Sequence, residues 1–316
     1  MAPIIDVKDL VKKYKKAENN AVDDISFSVG EGEFFTFLGP NGAGKTTTIS
    51  ILTTTLSKTS GSVTIAGFDV DKNSSRVRQN VGIIFQNPSL DQNLTAEENI
   101  RFHAILYGLY PFRPFYSMMP DSYKKRVNEL ADILGIQKDL YKPIKTFSGG
   151  MKRKLEIVRS LIHKPKVLFL DEPTVGLDPL SRKSLWEYLI SVRKEQKTTI
   201  FRTTHYLDEA EDADRVCILN HGKIIKIGSP NQIKKDLTKE YLVVDAKDRE
   251  KLKLELKKMR LVFEENGEIK VEISNKTSQS IIQNIKSPLT TLRLHSPSLE
   301  DAYLEIIGEK EKALKQ

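Results

Sequence analysis

The chain has one cysteine, Cys217, among its 316 residues. An intramolecular disulfide is therefore impossible, and such thiol usage suits a reducing compartment. Long hydrophobic runs are missing too: the charge-free stretch 46–57 is well short of the roughly 18 apolar residues that a spanning helix needs. The opening "MAPIIDVKDLVKKYKK" lacks the apolar core of a secretory signal. These absences lead to the expectation of a cytoplasmic protein. There is no long block of basic residues either. The net charge of +8 is spread along the chain, which reads as a solvated basic surface.

What is present is ordinary globular material, 39% hydrophobic and 29% charged, enough for one large domain and a smaller one. Up to about residue 235 strands and helices are mixed. "GEFFTFLGPNG" reads as a strand entering a glycine turn. "VGIIFQ" and "KVLFLDEP" have the short apolar form of buried parallel strands, and "TTIFRTTH" and "RVCILNHGKIIKIG" add more. Residues 95–163 are mostly helical, with Thr95 and Glu98 spaced as a capping box. "YPFRPFYSMMP", 110–120, interrupts that section with three prolines and cannot be a regular helix. Past 235, the order of strands and helices predicts βαββαβ with a hairpin at Asn266-Gly267 and a final helix over "SLEDAYLEIIGEKEKAL". The expected organisation is thus 1–235 and 236–316.

"GPNGAGKT", 39–46, matches G-x-x-x-x-G-K-[ST] between a strand and a helix. Backbone N–H groups of such a loop wrap a β-phosphate, Lys45 reaches the β/γ oxygens, and the Thr46 hydroxyl ligates Mg²⁺. "VLFLDE" carries Asp171 to the C-terminal edge of a sheet, where it would hold the metal through water, with Glu172 next to it to polarise an attacking water. A lone acidic pair after a strand is more often a cap or turn. Paired with the lysine loop, it predicts a Mg-nucleotide site.

A second stretch, "FSGGMKRKLEIVRSL", raises a different question. Ser148 is a good N-cap, yet Gly149 and Gly150 cost helix stability. Two explanations fit: an anion held against bare N–H groups at a positive helix end, or a tight helix crossing.

Five motifs in order make the chain resemble the ATP-binding subunits of ABC transporters over about residues 3–235. They are "GPNGAGKTT", Gln86 in "IIFQNPSL", "FSGGMKRKLEI", "VLFLDEPTVGLDP" and His205 in "TTHYLDEAEDADRV". The resemblance implies an α/β fold: a P-loop NTPase core with an antiparallel β subdomain and an inserted helical subdomain, plus a small α+β C-terminal domain. It implies ATP and Mg²⁺ as cofactors, and two ATPs sandwiched between head-to-tail subunits. Gly39, Pro40, Asn41, Gly42, Ala43, Gly44, Lys45, Thr46 and Thr47 would cradle the phosphates, and Tyr14 would stack on adenine. Glu172, His205 and Gln86 would be catalytic, and Thr46, Gln86 and Asp171 would face the metal. Ser148, Gly149, Gly150 and Asp178 would touch the nucleotide of the partner subunit. The one departure is Met151, where many relatives have glutamine.

"SGGMKRKLEIVRSLIHKP" and "SPSLEDAYLEIIG" resemble the daunorubicin-resistance-like, ABC-2 type exporters of drugs, lipids or polysaccharides. That implies a separate membrane permease as partner, a homodimer or paralogous pair, and a place on the inner face of the membrane through the permease. The 110–120 insertion would extend the permease contact or be a neutral loop, and residues 236–316 would regulate or stabilise the dimer. No nucleic-acid partner is expected. A rival reading, an ABC-type ATPase acting on nucleic acid or ribosomes, lacks the second ATPase half or coiled-coil arms usual there. A non-hydrolysing regulatory module is disfavoured by Glu172 and His205.

Overall fold

The structure is a computed structural model and describes residues 2–85, 89–173, 179–237, 240–273, 277–295, 298–301 and 303. It divides into two units, Met1–Ile227 and Gly228–Gln316. The boundary expected at 235 falls inside a helix of the second unit, Pro230–Leu237.

In the first unit the order is β1 (Ile5–Lys12), β2 (Val22–Val29), β3 (Phe34–Leu38), α1 (Lys45–Leu52), β4 (Ser60–Ile65), β5 (Phe68–Asp69), α2 (Ser74–Asn80) and β6 (Val81–Ile84). Helices α3 (Ala96–Leu106), α4 (Asp121–Ile133) and α5 (Gly149–Leu161) follow. Then come β7 (Val167–Asp171), α6 (Pro179–Gln196), β8 (Thr199–Thr204), α7 (Leu207–Ala210), β9 (Arg215–Asn220) and β10 (Lys223–Gly228).

The strands make two sheets. One is antiparallel in the order β2-β1-β4-β5; the other has the order β10-β9-β3-β8-β7-β6, with parallel pairing from β9 to β6. Every residue of β3, β7 and β8 is buried, as expected of parallel strands covered on both faces. Strand β2 alternates, turning Phe27 and Val29 inward. Phe27 joins Phe35, Phe37, Phe169 and Phe201 in one aromatic cluster, with ring centroids of paired neighbours 4.8–6.1 Å apart. Burial of each such side chain contributes about 1.5–3 kcal/mol, so this cluster pins β3, β7 and β8, whose C-terminal ends carry the residues of interest.

Helices α3, α4 and α5 share a core of Ile100, Ala104, Tyr123, Val127, Leu130, Leu155 and Val158. Thr95 begins α3 as the sequence predicts: its hydroxyl accepts from Glu98 N (3.2 Å), and Glu98 Oε2 accepts from Thr95 N (2.8 Å). The proline-rich insertion holds only a 3-10 turn at Tyr116–Met118. It is nevertheless tied down, because the buried Arg101 Nη1 donates to the carbonyls of Arg113 (2.8 Å) and Pro114 (2.7 Å) and Met119 is buried.

The second unit contains α8 (Pro230–Leu237), β11 (Tyr241–Ala246), α9 (Arg249–Lys258), β12 (Phe263–Asn266), β13 (Glu268–Glu272), α10 (Ser278–Asn284) and β14 (Leu289–His295). The sheet order β12-β13-β11-β14, with antiparallel neighbours, is the split βαβ arrangement. The hairpin turns at Gly267, where φ is +79°. Leu242, Val244, Ile269 and Val271 pack on Leu252, Leu256 and Ile281 as a core of its own. Of the expected final helix only the start is described, with Asp301 N donating to the Ser298 hydroxyl (3.1 Å); the remainder lies outside the described residues.

Candidate active site

The loop between β3 and α1 turns on positions where a side chain has no room. At Gly44, φ is +103° and a Cβ would stand 2.6 Å from the Ala21 carbonyl oxygen; at Gly39 it would stand 2.4 Å from that of Leu219. The loop therefore closes against the backbone of its neighbours and leaves a cavity of about 270 Å³, lined by Ala21, Asn41, Gly42, Ala43, Gly44, Lys45, Thr46, Thr47 and Glu172. Lys45 curls back, with Nζ donating to the carbonyls of Gly39 (2.6 Å) and Pro40 (3.1 Å) and standing 3.9 Å from Glu172 Oε1. Burial pushes its pKa down, opposed by the charges of Glu172 and Asp171.

Asp171 is the last residue of β7, and its Oδ1 accepts from the hydroxyls of Thr203 (2.5 Å) and Thr46 (3.5 Å). Burial raises its pKa above the usual carboxylate value, with the neighbouring Glu172 charge acting the same way and the Thr203 hydrogen bond against it. Glu172 leaves the strand in the left-handed region, φ +47°, which costs a residue with a Cβ about 1–3 kcal/mol. Its N–H donates to Thr203, to the carbonyl (3.3 Å) and the hydroxyl (3.2 Å), and its Oε1 is 3.0 Å from His205 Nδ1. Adjacent strands β7 and β8 thus bring Asp171, Glu172 and His205 to one sheet edge beside the lysine loop.

Tyr14 lies past the end of β1, 45% exposed, its hydroxyl 3.4 Å from the Thr47 hydroxyl. Ser148, Gly149 and Gly150 are not among the described residues lining this cavity. Ser148 caps α5 by accepting from Met151 N (3.3 Å), and Ser148 and Gly149 are exposed. Among the described residues a Cβ at Gly149 would meet nothing within 4 Å, so no helix crossing among them explains that glycine. Gln86 and Asp178 lie outside the described residues.

The ABC transporter family profile matches residues 22–175. The linearmycin resistance ATP-binding protein LnrL of Bacillus subtilis (strain 168) is 32% identical over 96% of this chain and 98% of its own. The chain belongs to the ABC transporter family. The daunorubicin/doxorubicin resistance ATP-binding protein DrrA of Streptomyces peucetius is another relative of this ABC subunit, 37% identical over 75% of this chain and 69% of its own. Among solved structures, the dimeric ATP-binding cassette MJ0796 in a post-hydrolysis state bound to ADP and Pi is similar, with TM-score 0.64 and 25% identity, covering 71% of this chain and 98% of that one.

The fold is the one the resemblance implies, and the chain is an ABC-type ATPase that binds and hydrolyses ATP. Two features of this ABC subunit's site escape a reading of sequence alone. Thr203 stands two residues before His205 in the sequence, and its hydroxyl and carbonyl hold both Asp171 and Glu172. Its signal was its place at the end of a buried strand. Arg153 gives no such signal: it stands between Lys152 and Lys154 early in α5, yet it is buried.

Proposed function

We propose that this ATPase works as one half of a head-to-tail pair that sandwiches two Mg-ATP and drives a separate ABC-2 type membrane permease, exporting a drug, lipid or polysaccharide. Glu172 activates the attacking water, held in direction by His205, and Lys45 with the loop N–H groups takes the β/γ-phosphates. Mg²⁺ suits the Thr46 hydroxyl and the Asp171 carboxylate, two hard oxygen donors that converge beside the loop; when bound, it neutralises charge on the phosphates. Tyr14 offers its exposed ring to the adenine. Gln86 is read as a contact to the metal or water and Asp178 as a contact across the seam.

One observation carries the paired arrangement. The α5 start is exposed, its Gly149 has open space where a side chain would be, and it is not part of the cavity on its own chain. A helix N-terminus left bare in this way suits a phosphate presented by another subunit. The names of relatives such as LnrL and DrrA support antibiotic or drug export, and the exposed Leu106, Phe112, Phe115 and Met118 support a permease contact at the helical part.

The test is the solution mass of Glu172→Gln by sedimentation, with and without Mg-ATP. A dimer that accumulates only with Mg-ATP is expected. A variant that binds ATP yet stays monomeric at high protein concentration overturns the paired reading for two copies of this chain.

A further inference from the structure

Among the charged side chains buried outside the nucleotide cavity, two stand on one face of α5, Arg153 and Glu156, with the half-buried Arg159 one turn further on. Arg153 is 5% exposed and Glu156 1%. Such burial needs every donor and acceptor to be used, and here the partners are main-chain groups next to the catalytic acids. Arg153 Nε donates to the Pro173 carbonyl (2.9 Å) and Nη2 to the Glu172 carbonyl (3.4 Å). Nη1 donates to Glu156 Oε2 (3.0 Å) and to the carbonyl of Phe85, the residue after β6. Glu156 Oε1 in turn accepts from Ser89 N (3.0 Å), and Arg159 donates to the Ser89 carbonyl (2.8 Å) and hydroxyl (2.6 Å).

We infer that Arg153, braced by Glu156, is a positioning residue for ATP hydrolysis: it holds the backbone at Glu172–Pro173 so that the Glu172 carboxylate meets the attacking water. The inference rests on the reading of Glu172 as the group that activates water. The strained φ of Glu172 is what makes a brace necessary, since a left-handed residue with a side chain persists only when its surroundings over-determine it. Thr203 grips Glu172 from the N–H side and Arg153 from the carbonyl side. A planar guanidinium can serve several carbonyls at fixed angles, which a lysine cannot. The same helix is capped by Ser148, so the brace also ties the start of α5 to the catalytic acid through covalent structure and one side chain, that of Arg153.

The experiment compares Arg153→Gln, Arg153→Lys and Glu156→Gln with wild type and Glu172→Gln, using the full chain. Single-turnover hydrolysis of Mg-ATP, binding of the fluorescent analogue TNP-ATP and thermal unfolding are measured on each. Arg153→Gln is expected to lower the single-turnover rate, at saturating protein over ATP, by about 30-fold or more while TNP-ATP affinity stays within about 3-fold, the pattern of an interaction realised only in the transition state. Arg153→Lys should recover a part, and Glu156→Gln, which keeps an oxygen acceptor for Ser89 N, should fall by roughly 3- to 10-fold with binding unchanged. Hydrolysis by Arg153→Gln within about 2-fold of wild type overturns the inference, as does a loss of TNP-ATP binding that matches the loss of turnover. If Arg153→Gln does not fold, Glu156→Gln decides by the same split between turnover and binding. The role of Glu172 is judged separately: full hydrolysis by Glu172→Gln refutes that role, whereas its loss alongside normal Arg153 variants refutes only the brace.

Discussion

Asp171 holds a carboxylate where an unliganded protein gains little from it. Its pKa is raised, chiefly by burial, so the folded state favours the protonated form. That contribution to stability is present below the ordinary aspartate value of about 3.9 and is lost as pH rises through the folded value. At neutral pH the charged group therefore weighs against folding until a cation arrives. Asp171→Asn, which can still accept from Thr203, should melt at a higher temperature than wild type without ligand at neutral pH, and the difference should close as pH falls toward about 4. Added Mg-ATP should raise the melting temperature of wild type much more than that of the variant; thermal scans across pH check both. A variant less stable than wild type at neutral pH would contradict the assignment of burial as the dominant cause. Residue types told much of this in advance, because a lysine loop and an acidic strand end need each other. The Thr203 contacts were not legible, since they depend on the register that sets Thr203 beside Asp171 on parallel strands.

At the scale of the element, α5 trades helix stability for a bare start. Alanine is a better helix former than glycine by up to about 1 kcal/mol, and at Gly149 it has open space. Gly149→Ala should thus keep or raise the melting temperature while ATP turnover falls, measured on one preparation by calorimetry and phosphate release. Turnover equal to wild type would return the glycine to a merely conformational role. The insertion before α4 needs a different test from deletion. Removing 111–119 would strip the buried Arg101 of its two carbonyl acceptors and so disturb α3 itself. Replacing Phe112 and Phe115, 68% and 65% exposed, with serine avoids this. The double variant should be recovered less on membranes that hold the permease, with its melting temperature unchanged; full recovery would argue against a contact there. The tie between Arg101 and the insertion runs to main-chain carbonyls, which leave no side-chain pattern to read. Strand β1 was hard to read for another reason: register shifts between Val7 and Leu10 and between Leu10 and Lys12, with Asp9 at φ +51°, break its alternation of buried and exposed residues. By contrast, β3, β7 and β8 stand out as apolar runs because both of their faces are covered.

For the molecule as a whole, the ordered set of motifs carried more of the fold than periodicity did, because each motif fixes a strand end or helix start in space. The split βαβ pattern of the second unit was legible from element order alone, while no residue there signalled a chemistry. The division after Ile227 could not be read to the residue, since α8 continues the polar, lysine-rich composition on both sides of 235. Cys217 has a practical bearing on all these measurements. It lies fully buried in β9, and burial pushes its thiol pKa up, far from the reactive thiolate. A thiol-directed dye added to the folded wild-type protein therefore has nothing to label. Cysteines introduced in pairs, one beside the lysine loop and one beside the start of α5, would carry spin labels or fluorophores without the native thiol having to be removed first. Distances across the proposed pair of subunits could then be followed through a hydrolysis cycle in the protein's own sequence background.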